Sequence, residues 1–386
     1  MMRTTRVGAV AAAAGAVLAL TSCGGGGITG DSGSGGGDTG DIVLGMVTPL
    51  SGSSAAIGPY MKNGAQLAVN EANEAGGVIG RQVKLVAEDG ACDPKTAAAA
   101  AAKLVTAGTN VSVGGYCSSA TLPTLSIFGK ANIPMIIPAA NSNDLLKDQH
   151  KNVFLLNGTG AQQAQAALDF MKKSGAKAIA LVDDNTSYSK DITTRTAEDA
   201  KGDSALKVVS RESVTAGESD YSAAVTAILR ANPDFVYWTG YYQEGGLLIK
   251  QLRAAGYKGD VMVADGSVDK QLITIAGKDN AQGVFATMTQ TPQTIPGGDA
   301  WIAKYKKAFN ADPGPYSTQS YDAVRVAVEA IKNAGSTDGT KVITALQAID
   351  GFPIFSGKLK FTPEHTLSEG GFDILVVKGD GFVLNK

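Results

Sequence analysis

The sequence contains little histidine and cysteine for its length. Its 386 residues include 2 histidines and 3 cysteines, and both histidines, His150 and His365, fall in predicted loops. Such a chain offers no clustered metal ligands, and it has no Cys–His nucleophile if two of its cysteines are paired. It also lacks the P-loop and the Gly-x-Ser-x-Gly elbow of hydrolases. We therefore predict a protein that is not an enzyme and needs no cofactor.

An excess of charge of either sign is also absent. Lys and Arg total 34 against 36 Asp and Glu, which gives a net charge of −2. Removal of an N-terminal leader containing Arg3 and Arg6 would change this net charge to −4. This balance provides no basic surface for nucleic acid and no polybasic patch for a membrane. We predict no nucleic-acid partner.

The N-terminus has the features of an export signal. Two arginines precede an apolar stretch at 7–20, which is too short to span a bilayer comfortably. The leader ends in Leu-Thr-Ser followed by Cys23, and this ending resembles the bacterial lipobox, in which the cysteine is lipidated and becomes the first residue. The alternative is a simple anchor helix with an incidental cysteine. We predict a lipoprotein signal peptide at 1–22 and an extracytoplasmic protein anchored to the cell membrane through lipidated Cys23.

The composition changes twice after this leader. Residues 23–40 are mostly Gly, Ser, Thr and Asp, so they have little to bury and are predicted to form a flexible tether. From about residue 41, apolar strands alternate with amphipathic helices. The run at 42–47 is continuously apolar, as in a strand buried on both faces. This alternation predicts an α/β fold with mostly parallel sheets, each flanked by helices.

The folded part is too long for one typical domain. About 345 residues exceed the usual domain range of roughly 50–250 residues. We predict two lobes with a break near 157–160, joined by a hinge of several crossing segments. The predicted limits are 41–158 with 289–360 for the first lobe and 159–288 with 361–386 for the second.

Two cysteines in the first half follow predicted strands. Cys92 and Cys117 each lie just beyond the carboxyl end of a strand, and a disulfide could form if the two strands are neighbours. The alternative is two free buried thiols, which the export signal disfavours because exported proteins are oxidised. We predict a Cys92–Cys117 disulfide.

Several segments match landmarks of one known family in order and spacing. They are Asp-Gly-Ala-Cys-Asp-Pro-Lys at 89–95, Cys-Ser-Ser at 117–119, Ile-Pro-Ala-Ala at 137–140, Asp-Phe-Val-Tyr at 234–237 and Gly-Tyr at 240–241. The chain resembles the extracytoplasmic solute-binding proteins of ABC importers for branched-chain amino acids. The resemblance implies a periplasmic-binding-protein type I fold. It also implies a monomer that binds a small amino acid between closing lobes and delivers it to membrane permease subunits.

The resemblance also implies which residues hold the ligand's carboxylate. They are Ser118 with its neighbour Ser119, Ala139 and Asn141. Ser118 lies at a predicted helix start, where a hydroxyl and free backbone N–H groups form an anion site. An ordinary helix cap is as good an interpretation of Ser118 considered alone, and a turn residue is a better one for Asn141.

In the second lobe, the resemblance assigns the ligand's ammonium group to Asp265 and assigns the lining of the cleft to Tyr188 and Tyr241. A strand-end aspartate is often only a turn former, and each tyrosine alone is more often a packing residue. The register of Asp265 relative to Tyr241 favours the binding role.

The chain departs from the family pattern at the second ammonium-binding acid. That acid should fall near Ala161 or Gln162, and Gln162 can accept a hydrogen bond but carries no charge. Glu244 could compensate, although a solvated acid at a helix start is the simpler interpretation. An aromatic residue of the family's first loop is also replaced, by Ile57. These departures leave open a different small amide or carboxylate solute. A sensor that reports to a signalling partner and an enzyme on the same fold are further alternatives.

Overall fold

The computed structural model describes residues 40–203 and 205–386. Most strands of these residues belong to two large β-sheets. The first sheet contains the strands β1 (Ile42–Thr48), β2 (Val83–Asp89), β3 (Val111–Ser112), β4 (Met135–Ile137) and β5 (Val153–Leu155). All its strand pairs are parallel, and the order across the sheet is β2-β1-β3-β4-β5.

The second sheet is larger and mixed. Its strands are β6 (Ala178–Asp183), β7 (Lys207–Ser213), β8 (Phe235–Trp238), β9 (Asp260–Val263), β10 (Phe285–Met288), β13 (Asp373–Lys378) and β14 (Gly381–Leu384). Between β10 and β13 along the chain, β11 (Asp350–Ile354) and β12 (Gly357–Lys360) form a separate hairpin. The order is β14-β13-β10-β9-β8-β6-β7, and only the pairs made by β13 are antiparallel.

Helices flank both sheets. Those of the first lobe, which we define by the first sheet, are α1 (Ile57–Glu74), α2 (Pro94–Thr106), α3 (Ser118–Lys130), α10 (Gly298–Phe309), α11 (Ser317–Ala334) and α12 (Gly339–Gln347). Those of the second lobe are α4 (Gly160–Lys173), α5 (Ser187–Ala200), α6 (Ser222–Ala231), α7 (Tyr242–Ala254), α8 (Lys270–Ala276) and α9 (Lys278–Ala281). Short 3₁₀ turns cover Asn143–Leu146 and Asp265–Ser267. The predicted α/β class with helix-flanked sheets is confirmed.

Within the described residues the chain passes between the sheets three times, after β5, after β10 and after β12. The last passage stays with the first sheet for several residues, because the backbone N–H of Leu155 donates to the carbonyl of His365 at 2.9 Å. We therefore propose that the first lobe extends beyond its predicted limit at residue 360. No described helix combines the length and the apolarity that crossing a membrane requires.

Local sequence explains how the first lobe begins. Every residue of β1 except Val43 is buried, as expected for a central parallel strand. Helix α2 follows Asp93, whose side chain accepts the backbone N–H of Thr96 at 2.7 Å, and Pro94 occupies the first helical position. Turn and cap residues thus fix the loop between β2 and α2, which carries Cys92.

The predicted Cys92–Cys117 disulfide is present, and the two Cα atoms are 5.4 Å apart. The expectation that its strands are neighbours is wrong, since β1 lies between β2 and β3. Ala91 and Cys92 have positive φ values of 49° and 53°, and this left-handed backbone accompanies the turn between β2 and α2. The bridge therefore spans the end of β1 and joins this turn to the start of α3.

We expect a Cys92→Ser/Cys117→Ser double variant to lose about 3–4 kcal/mol of unfolding free energy, because the bridge closes a 25-residue loop. Denaturant unfolding under non-reducing conditions measures this loss. A double variant as stable as the parent would show that the bridge contributes nothing.

The predicted leader at 1–22, the lipidation site Cys23 and the predicted tether apart from Gly40 lie outside the described residues.

Candidate functional site

The carboxylate of Asp265 lies where the two lobes meet. It follows β9 at the carboxyl edge of the second sheet and is 2% exposed. Its Oδ1 accepts hydrogen bonds from the hydroxyl of Tyr188 and from the side-chain amide of Gln163, the latter at 2.8 Å. Its Oδ2 accepts the hydroxyl of Tyr316 at 2.7 Å, and Tyr316 precedes α11 of the first lobe. One carboxylate therefore bonds to both lobes.

Burial sets the electrostatics of this carboxylate. Burial raises the pKa of Asp265, although the hydroxyls of Tyr188 and Tyr316 and the amide of Gln163 act to lower it. None of the ion pairs found between described residues includes Asp265. Neutral donors alone satisfy the carboxylate, so a cation brought by a ligand would find a strong partner here.

Gln163, the residue after the predicted Gln162, contacts Asp265 and was not named by the sequence analysis. Its amide nitrogen donates to Asp265 and to the Thr287 hydroxyl, and its Oε1 accepts the side-chain amide of Asn141 at 3.0 Å. Gln162 is not part of this network. Instead its side chain accepts the backbone N–H of Thr159 in a capping box at the start of α4.

Sequence signals could have distinguished the two glutamines. Thr159-x-x-Gln162 is a capping-box pattern, which assigns Gln162 to the helix start. Gln163 shares a stripe of four-residue spacing with Ala167 and Met171, all three of which are fully buried.

The residues predicted for a carboxylate lie together in the first lobe. Ser118 begins α3 and its hydroxyl accepts the backbone N–H of Ser142 at 3.2 Å. The carbonyl of Ala139 accepts the side-chain amide of Asn157 at 2.7 Å. Asn141 is fully buried, and its Oδ1 has no hydrogen-bond partner among the described residues. Polar atoms and a helix N-terminus thus converge on this edge of the first sheet.

Four tyrosine rings surround the meeting point of the lobes. The predicted Tyr188 and Tyr241 of the second lobe have ring centroids 5.2 Å apart. Tyr116 of the first lobe packs 5.7 Å from Tyr241 and 5.5 Å from Tyr316. The sequence analysis did not predict Tyr116 and Tyr316 as site residues. Tyr116 directly precedes a cysteine of the disulfide, and Tyr316 lies 200 residues further along the chain, so no local pattern connects them. An aromatic lining of this kind suits both apolar and cationic groups.

Direct hydrogen bonds also join the lobes at the start of α5. The hydroxyl of Ser119 accepts the backbone N–H of Ser187 at 3.0 Å. Asn143 donates to the Asp191 carboxylate from its backbone at 3.0 Å and from its side chain at 2.8 Å. Ser119, a predicted ligand residue, therefore takes part in lobe closure.

The two histidines lie away from this site. The His365 ring stacks on Phe154 of β5, with centroids 4.1 Å apart. His150 lies beside Asp148, at 3.8 Å. Among the residues that the structure describes, no three or more His, Cys, Asp or Glu side chains are grouped to hold a metal ion.

Comparison with known proteins identifies the family. The profile of the family described as periplasmic binding protein matches residues 41–381. The chain belongs to this family. The leucine-, isoleucine-, valine-, threonine- and alanine-binding protein of Pseudomonas aeruginosa is 34% identical over 338 residues, covering 86% of this chain and 89% of that protein. The leucine-specific-binding protein of Salmonella typhimurium is 32% identical over 343 residues, covering 88% and 92%.

Solved structures of periplasmic binding proteins agree with the fold. The leucine binding protein of Thermotoga maritima superposes with a TM-score of 0.82 at 25% identity, covering 89% of this chain and 98% of that one. A branched-chain amino acid transporter substrate binding protein of Streptococcus pneumoniae, solved with isoleucine, gives a TM-score of 0.80 at 25% identity, covering 89% and 100%. The predicted resemblance is confirmed, and this periplasmic binding protein is similar to binding proteins, not to enzymes.

Closure of this periplasmic binding protein can be tested at Asp191. An Asp191→Ala variant loses both hydrogen bonds from Asn143, so we expect a larger population of open molecules and a roughly tenfold weaker ligand affinity. Small-angle X-ray scattering measures the radius of gyration, and calorimetry measures the affinity.

Arg195→Ala is the matched control, because it removes the ion pair of Asp191 with Arg195 at 3.4 Å and keeps the contact with Asn143. Equal effects of the two variants would show that the Asn143 contact does not hold the lobes together.

Proposed function

We propose that this protein binds a small amino acid, branched-chain or related, between its two lobes. The observation that carries the proposal is the Asp265 carboxylate, which accepts hydrogen bonds from both lobes and takes part in none of the ion pairs found between described residues. The relatives named above as leucine-, isoleucine- and valine-binding proteins support the same ligand class.

The first lobe holds the carboxylate end of the amino acid. The start of α3 supplies backbone N–H groups and the Ser118 hydroxyl. The backbone around Ala139 completes the site together with the second amide hydrogen of Asn141, whose amide nitrogen already donates to Gln163. A carboxylate at a helix N-terminus is favoured by the helix dipole and by donors that have no partner within the helix.

The second lobe holds the ammonium end. An ammonium group brings three donors and a full charge, and it would take hydrogen bonds on Asp265 that tyrosine hydroxyls now make. Gln163 has no charge, but its position on Asp265 compensates in part for the family's missing second acid by orienting the carboxylate. The rings of Tyr188 and Tyr241 add a cation–π attraction.

Binding then selects the closed form. A ligand that contacts Ser118 in one lobe and Asp265 in the other binds the closed arrangement better than the open one, so it shifts the equilibrium toward closure. We further propose that an ABC permease recognises this closed form and that lipidated Cys23 anchors the protein to the outer face of the membrane. A sensor of the same ligand remains the alternative, and a permease encoded beside this protein would favour transport.

The binding proposal is tested at Asp265. We expect Asp265→Asn to weaken leucine binding roughly 100-fold, because one partner of a buried charge pair is lost. Isothermal titration calorimetry measures the affinity, and circular dichroism checks the fold. Asp322→Asn is the control, since Asp322 is an aspartate of similar burial that bonds to Phe355 and Arg325 away from the cleft.

The class of ligand is tested by removing its amine. We expect the parent protein to bind leucine and to bind 4-methylpentanoate, which lacks the ammonium group, far more weakly. Tight binding of 4-methylpentanoate, with Asp265→Asn unchanged, would instead identify a carboxylate-binding protein.

A further inference from the structure

The first turn of α3, where the carboxylate of the proposed ligand docks, begins without a capping side chain. Cys117 is the residue that directly precedes the helix, and it makes no side-chain hydrogen bond to the turn. A serine, threonine, aspartate or asparagine at such a position accepts one of the free N–H groups of the turn. Helix α2 of the same lobe has a cap of this kind, from Asp93. The sulfur atom of Cys117 is bonded to Cys92 instead.

The hydrogen bonds of this turn leave two N–H groups without a partner inside the helix. The N–H groups of Ala120 and Thr121 both donate to the carbonyl of Cys117, at 3.1 and 2.9 Å. Those of Ser118 and Ser119 are the first two of the helix, and no carbonyl of the helix precedes them. The hydroxyls of these two serines do not cap the turn, since each accepts a backbone N–H from another segment.

The start of α3 faces the second lobe. Burial raises the pKa of Tyr241 and the backbone N–H of Ser118 acts to lower it, so this N–H points toward the Tyr241 hydroxyl. Asn141 lies beside the same turn, since the next residue, Ser142, donates its N–H to the Ser118 hydroxyl. The Oδ1 of Asn141 is buried and has no hydrogen-bond partner among the described residues. A buried acceptor without a donor, next to this turn, indicates that a polar ligand group comes to this place.

The disulfide holds the start of α3 from a turn that is itself well fixed. Cys92 lies in the turn between β2 and α2, and the carboxylate of Asp89 organises that turn. The Oδ1 of Asp89 accepts the backbone N–H of Leu50 at 2.9 Å and that of Ala91 at 2.8 Å. Because these hydrogen bonds fix the turn, the bridge to Cys117 also fixes the residue from which α3 begins.

An ordinary cap at this position would conflict with binding. The side-chain oxygen of a cap accepts the N–H of the second or third helical residue, which are Ser119 and Ala120 here. That oxygen would lie where the carboxylate docks, and it would compete for the same N–H groups and the same helix dipole. Because sulfur is a weak acceptor, a disulfide fixes the turn without this competition.

We propose that Cys92 and Cys117 are positioning residues for the ligand's carboxylate. Their bridge takes the structural place of a helix cap and leaves the N–H groups of Ser118 and Ser119 open to the carboxylate. This inference rests on the proposed function and deepens it, because it gives the disulfide a part in recognition besides its part in stability. The two cysteines act through the start of α3 without touching the ligand.

Two variants without the bridge differ by one oxygen atom before α3. The alanine variant, Cys92→Ala/Cys117→Ala, has neither bridge nor cap, and the serine variant, Cys92→Ala/Cys117→Ser, has a hydroxyl that can cap the helix. We expect the alanine variant to bind leucine about tenfold more weakly than the parent protein in isothermal titration calorimetry, because the N–H groups are no longer held in place. The serine variant should resist denaturant better than the alanine variant and yet bind leucine roughly threefold more weakly than it.

Leucinamide, in which a neutral amide replaces the carboxylate, shows which end of the ligand is affected. We expect the affinity ratio of leucine to leucinamide to fall from the parent to the alanine variant, and again to the serine variant, because a neutral group gains less from the helix start. Asp338→Ala is the control, since it removes the cap of α12, where Asp338 accepts the N–H of Lys341 at 3.0 Å. It should lower the stability and leave the ratio unchanged.

The outcomes separate this inference from the proposed function. If the parent protein does not bind leucine, both fail. If the parent binds leucine and the two variants bind it equally well, or the serine variant binds it better than the alanine variant, the bridge is structural only. The inference is then wrong, whereas the amino-acid site stands.

Circular dichroism checks that the variants fold. If the alanine variant does not fold, reduction of the parent protein with a phosphine replaces it, because reduction leaves two thiols and no cap. A weaker leucine affinity of the reduced, folded protein supports the inference. An unchanged affinity contradicts it.

Discussion

The structure depends on a single buried carboxylate that both lobes satisfy. Asp265 is buried. An ionised carboxylate is costly in a buried position unless hydrogen-bond donors surround it. Tyr188 and Gln163 supply donors from the second lobe and Tyr316 supplies one from the first. Because Tyr316 belongs to the first lobe, its hydroxyl is the donor to Asp265 that depends on the two lobes being together. A ligand's ammonium group acts on that contact directly.

The backbone near the cleft is held in uncommon conformations. Tyr316 has a φ of 61°, a left-handed value that is strained for an aromatic residue, and it places the hydroxyl on Asp265. Cys92 is also left-handed, at 53°, and its disulfide joins that loop to the start of α3. Strain of this kind persists where the surrounding structure imposes it. Here α11 packs on α1 and the bridge spans the end of β1, so the first-lobe wall of the cleft is held in place.

Sequence alone predicted the features that depend on local pattern. Apolar runs and helical stripes gave the α/β class, and the position of Ser118 after a strand gave the start of α3. Features that depend on tertiary packing could not be predicted from the sequence. The disulfide joins strands that are not neighbours, because order across a sheet is set by crossovers that local pattern does not encode. Likewise Tyr316 reaches the site from a helix far along the chain, and Gln163 differs from Gln162 only by its helix face.

Proton release on ligand binding tests the role of Asp265 most directly. Burial raises the pKa of this carboxyl, and an ammonium partner stabilises the charged form and lowers the pKa. Binding of leucine in mildly acidic solution should therefore release protons. Calorimetric titrations in buffers of different ionisation enthalpy, between about pH 4 and pH 7, count those protons. The account predicts a release that disappears in Asp265→Asn. A binding enthalpy that is independent of buffer at every pH, or a release unchanged by that substitution, would contradict it.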